Sequence, residues 1–187
     1  MEIKAANPDE QKLITGCKKG ETWAQKQVYE LYASAMFSVC VRYVSDRETA
    51  RDLLHDGFVK IFSKANTFSE IGSFAGWIRR IFVTTALEYL RQNNALRQNT
   101  AIDELDYAIA DTDISVLDKI SADDLLACVA DLPNGYRTVF NLYALEDYSH
   151  AEIANLLNIS ENTSRSQFMR ARKILQTKVE GLGLSGL

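Results

Sequence analysis

Between Ser160 and Leu175 the chain reads SENTSRSQFMRARKIL. The guanidinium and ammonium groups of Arg165, Arg170, Arg172 and Lys173 are charge-assisted donors suited to phosphate oxygens, and an arginine can also grip the edge of guanine through two parallel hydrogen bonds. Thr163, Ser166 and Gln167 add neutral donors and acceptors close by. This is the chemistry of duplex recognition. Thr163, Arg165, Ser166 and Gln167 are expected on base edges, and Arg170, Arg172 and Lys173 on the backbone. An ordinary solvated helix surface is the competing reading of the same charges.

Two helices and a tight turn must hold these groups. Ser149 followed by Glu152 is a capping box, so a helix starts there, and Ile153, Leu156 and Leu157 give it an apolar face. Asn158 is placed to end it, because asparagine tolerates the left-handed conformation. Ser160 caps the next helix, whose Ser164, Phe168, Ala171 and Leu175 share one side and are expected to pack on the first. The result is a helix-turn-helix whose second helix is basic on its outer arc.

The remainder of the 187 residues must carry the acid, since 21 Lys and Arg against 25 Asp and Glu leave a net charge of −4. DNA binding is therefore a local property of the chain. The pattern is all-α: two small helical domains, 1–96 and 121–187, joined by an acidic linker over 97–120. In the first domain, Pro8 opens a short helix stopped near Gly16 to Gly20, and a longer one follows from Thr22. Its end, Phe37 to Val44, also alternates as a strand does. Asp46 caps a third helix that leaves Asp52, His55 and Asp56 outward, a surface for a basic partner or simply a solvated face. Phe68, Ser69, Glu70, Ile71, Gly72 and Ser73 form a loop before a helix carrying Arg79, Arg80, Thr84, Glu88 and Arg91. Aromatic rings beside arginines near a loop suit unstacked single-stranded bases, although most such rings belong to a core.

No spacing of Cys17, Cys40, Cys128, His55 and His150 completes a metal set, and no nucleophile–base pair or phosphate loop is present. We therefore expect no catalysis, no metal and no cofactor. The odd, apolar-flanked cysteines and the absence of a signal core or membrane-length apolar run point to a cytoplasmic protein without membrane insertion.

Taken together, ARDLLHDGFVKIF followed by FAGWIRRIFVTTALEYLR, then LPNGYRTVFNLY and YSHAEIANLLNISENTSRSQFMRARKIL, resemble the extracytoplasmic-function sigma factors of bacterial RNA polymerase. The resemblance covers nearly the whole chain. It implies a factor that binds core RNA polymerase through the clamp helices and the flap, with Asp52, His55 and Asp56 docking on the former. It implies that residues 68–73 hold a flipped base of the downstream promoter element, that Arg79, Arg80, Thr84, Glu88 and Arg91 line adjoining single-stranded DNA, and that the C-terminal domain reads the double-stranded upstream element. An anti-sigma factor is a further implied partner. Thr84 and His55 stand where the family often has Asn and Gln. A stand-alone helix-turn-helix regulator with a helical sensor domain is the alternative, and it predicts tight binding to palindromic DNA without polymerase.

At roughly 3.3 Å per residue the linker could span on the order of 70 Å, about two turns of DNA. When close, its carboxylates can compete with phosphate for Arg79, Arg91, Arg165 and Lys173. Replacing Asp103, Asp106, Asp111 and Asp113 by Asn and Glu104 by Gln is expected to raise polymerase-free DNA affinity, most visibly at low salt. A gel-shift titration across salt concentrations measures it.

Overall fold

The computed structural model describes residues 8–93 and 122–184, and every regular element among them is helical. The chain divides into two compact units, Met1–Tyr89 and Leu90–Leu187. The expected linker over 97–120 lies outside the described residues.

In the first unit, α1 (Pro8–Lys18) and α2 (Thr22–Val44) are joined by a turn in which Gly20 takes φ +73°. Gly16 sits inside α1 rather than ending it, because a side chain there would stand 2.6 Å from the Cβ of Ala24. The two backbones meet at this point. The strand-like pattern at Phe37–Val44 is helix throughout, since Met36, Val39, Cys40 and Tyr43, spaced three or four apart, are the buried set. Helical burial overrides the β-preference of the valines. The buried thiol of Cys40 is pushed up to about 12 by desolvation.

Helix α3 (Arg47–Lys64) is capped by Asp46, whose Oδ2 accepts from the backbone N–H of Thr49 at 2.7 Å and from its hydroxyl at 2.6 Å. It ends in a 3-10 turn, Ala65–Thr67, before the loop 68–73 and α4 (Phe74–Gln92). Helix α4 buries Phe74, Ile78, Phe82, Val83, Thr85, Ala86, Leu87 and Leu90, while Trp77, Ile81 and Tyr89 are only half-buried. Aromatic rings fill the seam between α3 and α4. Phe58 meets Phe82 edge-on at 5.3 Å, and Gly57 lies against that same Phe82 ring.

In the second unit, α5 (Ala122–Ala130) and α6 (Asn134–Phe140) flank a turn at Pro133, and α6 continues as a π-helical turn, Asn141–Leu145. Helices α7 (His150–Leu157) and α8 (Glu161–Leu184) follow. Ala171 of α8 packs with Leu132 and Tyr136, flanked by Phe140, Ile174 and Leu175. The apolar stripe of α8 therefore packs largely on the α5–α6 pair rather than on α7 alone. Sequence spacing defines which residues share a face but not which neighbour meets it.

One charge is buried here. Arg137, 5% exposed, donates to the carbonyl of Ala130 and to Asn134 Oδ1, so it closes the C-terminus of α5 onto the start of α6. Desolvation lowers its pKa, and the nearby Asp131 opposes that shift.

The contact at Gly57 is testable. An added Cβ would stand 2.2 Å from Phe82 Cε1, inside a ring that is fully buried. Overpacking of this kind costs about 1–3 kcal/mol, against which alanine returns roughly 1 kcal/mol of helix propensity. Gly57→Ala is expected to lower the urea midpoint, with a net loss on the order of 1 kcal/mol. An unchanged midpoint would show that the ring yields freely.

Candidate nucleic-acid interface

The turn between α7 and α8 is fixed by local bonds at both ends. Ser149 N–H donates to Glu152 Oε2 at 2.8 Å and Glu152 N–H donates to Ser149 Oγ at 3.3 Å, so both halves of the capping box form. Asn158 takes φ 54° and ψ 49°, the left-handed cap, and the Ile159 N–H returns to the carbonyl of Ala154 at 3.1 Å. Ser160 Oγ accepts from the N–H of Thr163 at 3.0 Å, which starts α8.

Side chains then lock the angle between the two helices. Ser164 is fully buried, and its Oγ lies 2.9 Å from His150 Nδ1 on α7. The His150 ring stacks on Tyr143 at 4.3 Å, and Phe168 packs against both. Burial holds the His150 pKa below its ordinary value, Arg165 adds to this, and Glu161 opposes it. The neutral imidazole is thereby favoured, and either Nδ1 or the Ser164 hydroxyl can be the donor of their bond.

With Ser164, Phe168, Ala171 and Leu175 turned inward, the helical repeat carries the rest of α8 outward. Ser166 is exposed and Lys173 half-buried along the outermost line, with Met169 between them at 43% exposure. Arg170 is exposed on one shoulder, where its Nη1 lies 3.3 Å from Tyr136 Oη. Arg165 and Arg172 are exposed on the other shoulder, with Arg165 paired to Glu161 one turn earlier. Thr163 and Gln167 are half-buried, and the Gln167 amide lies over Gly135 of α6, on the inner flank of the arc. The expected set thus shares one helix, but Gln167 is turned aside. The position of Met169, three after Ser166 and four before Lys173, puts it on the same outward line.

Helices α3 and α4 and the loop between them carry the other expected groups. Asp52, His55 and Asp56 are all exposed on α3. In the loop, Ser69, Glu70, Ile71, Gly72 and Ser73 are exposed, while Phe68 is 4% exposed. Phe68, expected with residues 69–73 at a flipped base, packs against Phe74 at 5.2 Å and Trp77 at 5.4 Å, where it leaves water. Ser73 begins α4 by accepting the N–H of Gly76 at 3.0 Å. Arg80 and Arg91 are exposed and Arg79 is half-buried. The Thr84 hydroxyl lies 2.9 Å from the carbonyls of Arg80 and Ile81 and so is occupied by its own helix. Glu88 pairs with Lys60 at 2.7 Å. The Lys60 partnership was not expected, since it joins residues 28 apart.

Among the described residues, no three His, Cys, Asp or Glu side chains gather where they could hold a metal ion, and no helix is long and apolar enough to cross a membrane. What the arrangement offers is donor groups on fixed helices.

Comparison with known proteins gives this geometry a family. Residues 28–96 match the family described as Sigma-70 region 2, and residues 122–175 match Sigma-70, region 4. The ECF RNA polymerase sigma-E factor of Haemophilus influenzae is 26% identical over 183 residues, covering 92% of this chain and 96% of that protein. The ECF RNA polymerase sigma factor SigW of Bacillus subtilis is 24% identical, covering 91% and 97%. Two solved structures share the fold. The sigma factor RpoE from Bartonella quintana, in complex with the anti-sigma factor NepR, aligns with a TM-score of 0.52 at 19% identity, over 83% of this chain and 96% of that one. CnrH, in complex with the cytosolic domain of CnrY, aligns with a TM-score of 0.51 at 20% identity, over 90% and 96%. With both regions matched in order and relatives aligned along nearly their full length, the chain belongs to the sigma-70 family of transcription initiation factors, in its extracytoplasmic-function group.

Proposed function

We propose that the protein binds core RNA polymerase and directs it to promoters through three surfaces of distinct chemistry. The observation that carries this reading is the outward arc of α8, where Arg165, Arg170, Arg172 and Lys173 stand on a helix whose start and packing side are both fixed. A rigid basic helix of this kind suits the major groove of the duplex upstream element. The exposed Asp52, His55 and Asp56 of α3 suit a basic docking surface on the polymerase clamp helices, with the flap as the counterpart of the C-terminal unit. The exposed loop residues 69–73, with Arg79, Arg80 and Arg91, suit single-stranded bases and phosphates of the downstream element. Phe68 supports this loop from below, and Thr84 and Glu88 lie further along α4 with the same arginines.

We place this activity in the cytoplasm and assign the chemical step of transcription to the polymerase, not to this chain. RpoE of Bartonella quintana is bound by an anti-sigma factor, and a protein of that class is the regulator we propose here.

In-vitro transcription with core polymerase on fragmented genomic DNA tests the reading, the expected result being a limited set of transcripts that share two spaced elements. Asp52→Arg combined with Asp56→Arg should weaken co-purification with core while the helical circular dichroism is kept. Core binding at the native level would remove α3 from the docking role.

Base reading and phosphate binding separate by their effects. Arg165→Ala should relax preference at one or two upstream positions, by about 1–3 kcal/mol for a bidentate contact. Lys173→Ala should weaken all promoter variants alike and reduce the salt slope by about one. A uniform loss in both would make Arg165 a phosphate contact.

A further inference from the structure

The loop between α3 and α4 is held from outside by α1. Glu70, at the non-glycine φ of 61°, places one carboxylate oxygen 2.5 Å from Lys18 Nζ and the other 3.0 Å from Gln11 Nε2. Lys18 Nζ also stands 5.9 Å from the centre of the Phe68 ring. Gly72, two residues on, has φ +87°, so the chain reverses sharply on both sides of Ile71. The consequence is that Ile71, an apolar side chain, is 86% exposed at the tip of the loop. These donors hold Glu70 below the usual carboxylate range, by hydrogen bonds from Lys18 and Gln11 and then by the charge of Lys18.

Two features say that the clamp serves a purpose other than folding. The Lys18 and Glu70 side chains are 26% and 44% exposed, and ion pairs so open to water add little to stability. A carboxylate left unpaired on this loop would also repel phosphate, and pairing cancels that. Side chains such as isoleucine are used as wedges between base steps by proteins that distort or open duplexes.

Resting on the reading of residues 69–73 as the downstream-element loop, we propose that Gln11 and Lys18 are positioning residues for promoter opening: they fix Glu70 so that Ile71 stands out as an apolar wedge for an opening base step. Helix α1 thereby takes part in strand separation without touching DNA.

The test uses the full chain assembled with core polymerase on a promoter the holoenzyme selects, with permanganate reactivity of unpaired thymines as the readout. Lys18→Met combined with Gln11→Leu should slow opening of duplex promoter on the order of tenfold, within the coupling range of contacting residues. Lys18→Arg, which keeps a cationic donor, should open at the native rate. On a template carrying a pre-melted bubble the double variant should match the native protein. An equal loss on the bubble overturns the proposal, because α1 would then serve general affinity or folding. Glu70→Gln, which alters no core residue, provides the same comparison should the double variant fold poorly.

Ile71→Ser separates this proposal from the reading beneath it. If Ile71→Ser opens duplex promoter at the native rate, the loop does not enter the downstream element, and that reading fails. If Ile71→Ser slows opening while the α1 variants do not, the loop reading stands and the positioning role is overturned.

Discussion

Close approach of helices at small residues is the constraint on which both units depend. Gly16 lets α1 meet α2 at Ala24, Gly57 seats the face of Phe82, and Ser164 and Ala171 bring α8 against its neighbours. A larger side chain at any of these points would push one helix outward and rotate its exposed face. Because packed interiors do not deform gradually, such a shift would misdirect functional groups far from the contact. The direction of Arg165 and Arg170 is thus set partly by the size of residues that never meet solvent.

Two buried polar groups at these contacts meet partners. Ser164 is fully buried, yet its hydroxyl meets His150, and Arg137 is buried with its donors on Ala130 and Asn134. An unmatched hydroxyl or guanidinium in the same places would cost more than the contact contributes.

Surface charge follows a different rule. Arg165 with Glu161 and Lys60 with Glu88 are exposed or half-exposed pairs, each weak enough to be exchanged for a stronger partner. In an acidic protein this arrangement keeps basic groups occupied until phosphate is offered at close range. The net charge of −4 is therefore compatible with nucleic-acid binding, because the basic groups are concentrated on one arc of α8 and along α4.

Features whose causes lie within a few residues were legible in the order of the amino acids. The capping box at Ser149 and Glu152, the left-handed Asn158, the cap at Ser160 and the outward Asp52, His55 and Asp56 are all as local spacing implies, since backbone geometry and helical period act over one or two turns. The motif strings carried the family for the same reason. Tertiary structure decided what depends on partners distant in the chain. It placed Phe68 in the aromatic cluster, turned Gln167 toward Gly135, and gave Glu70 to Lys18 and Gln11. Sequence spacing gives the face on which a side chain leaves its helix, but the neighbour it meets there depends on how distant helices pack, and that is set by the shape of the whole core.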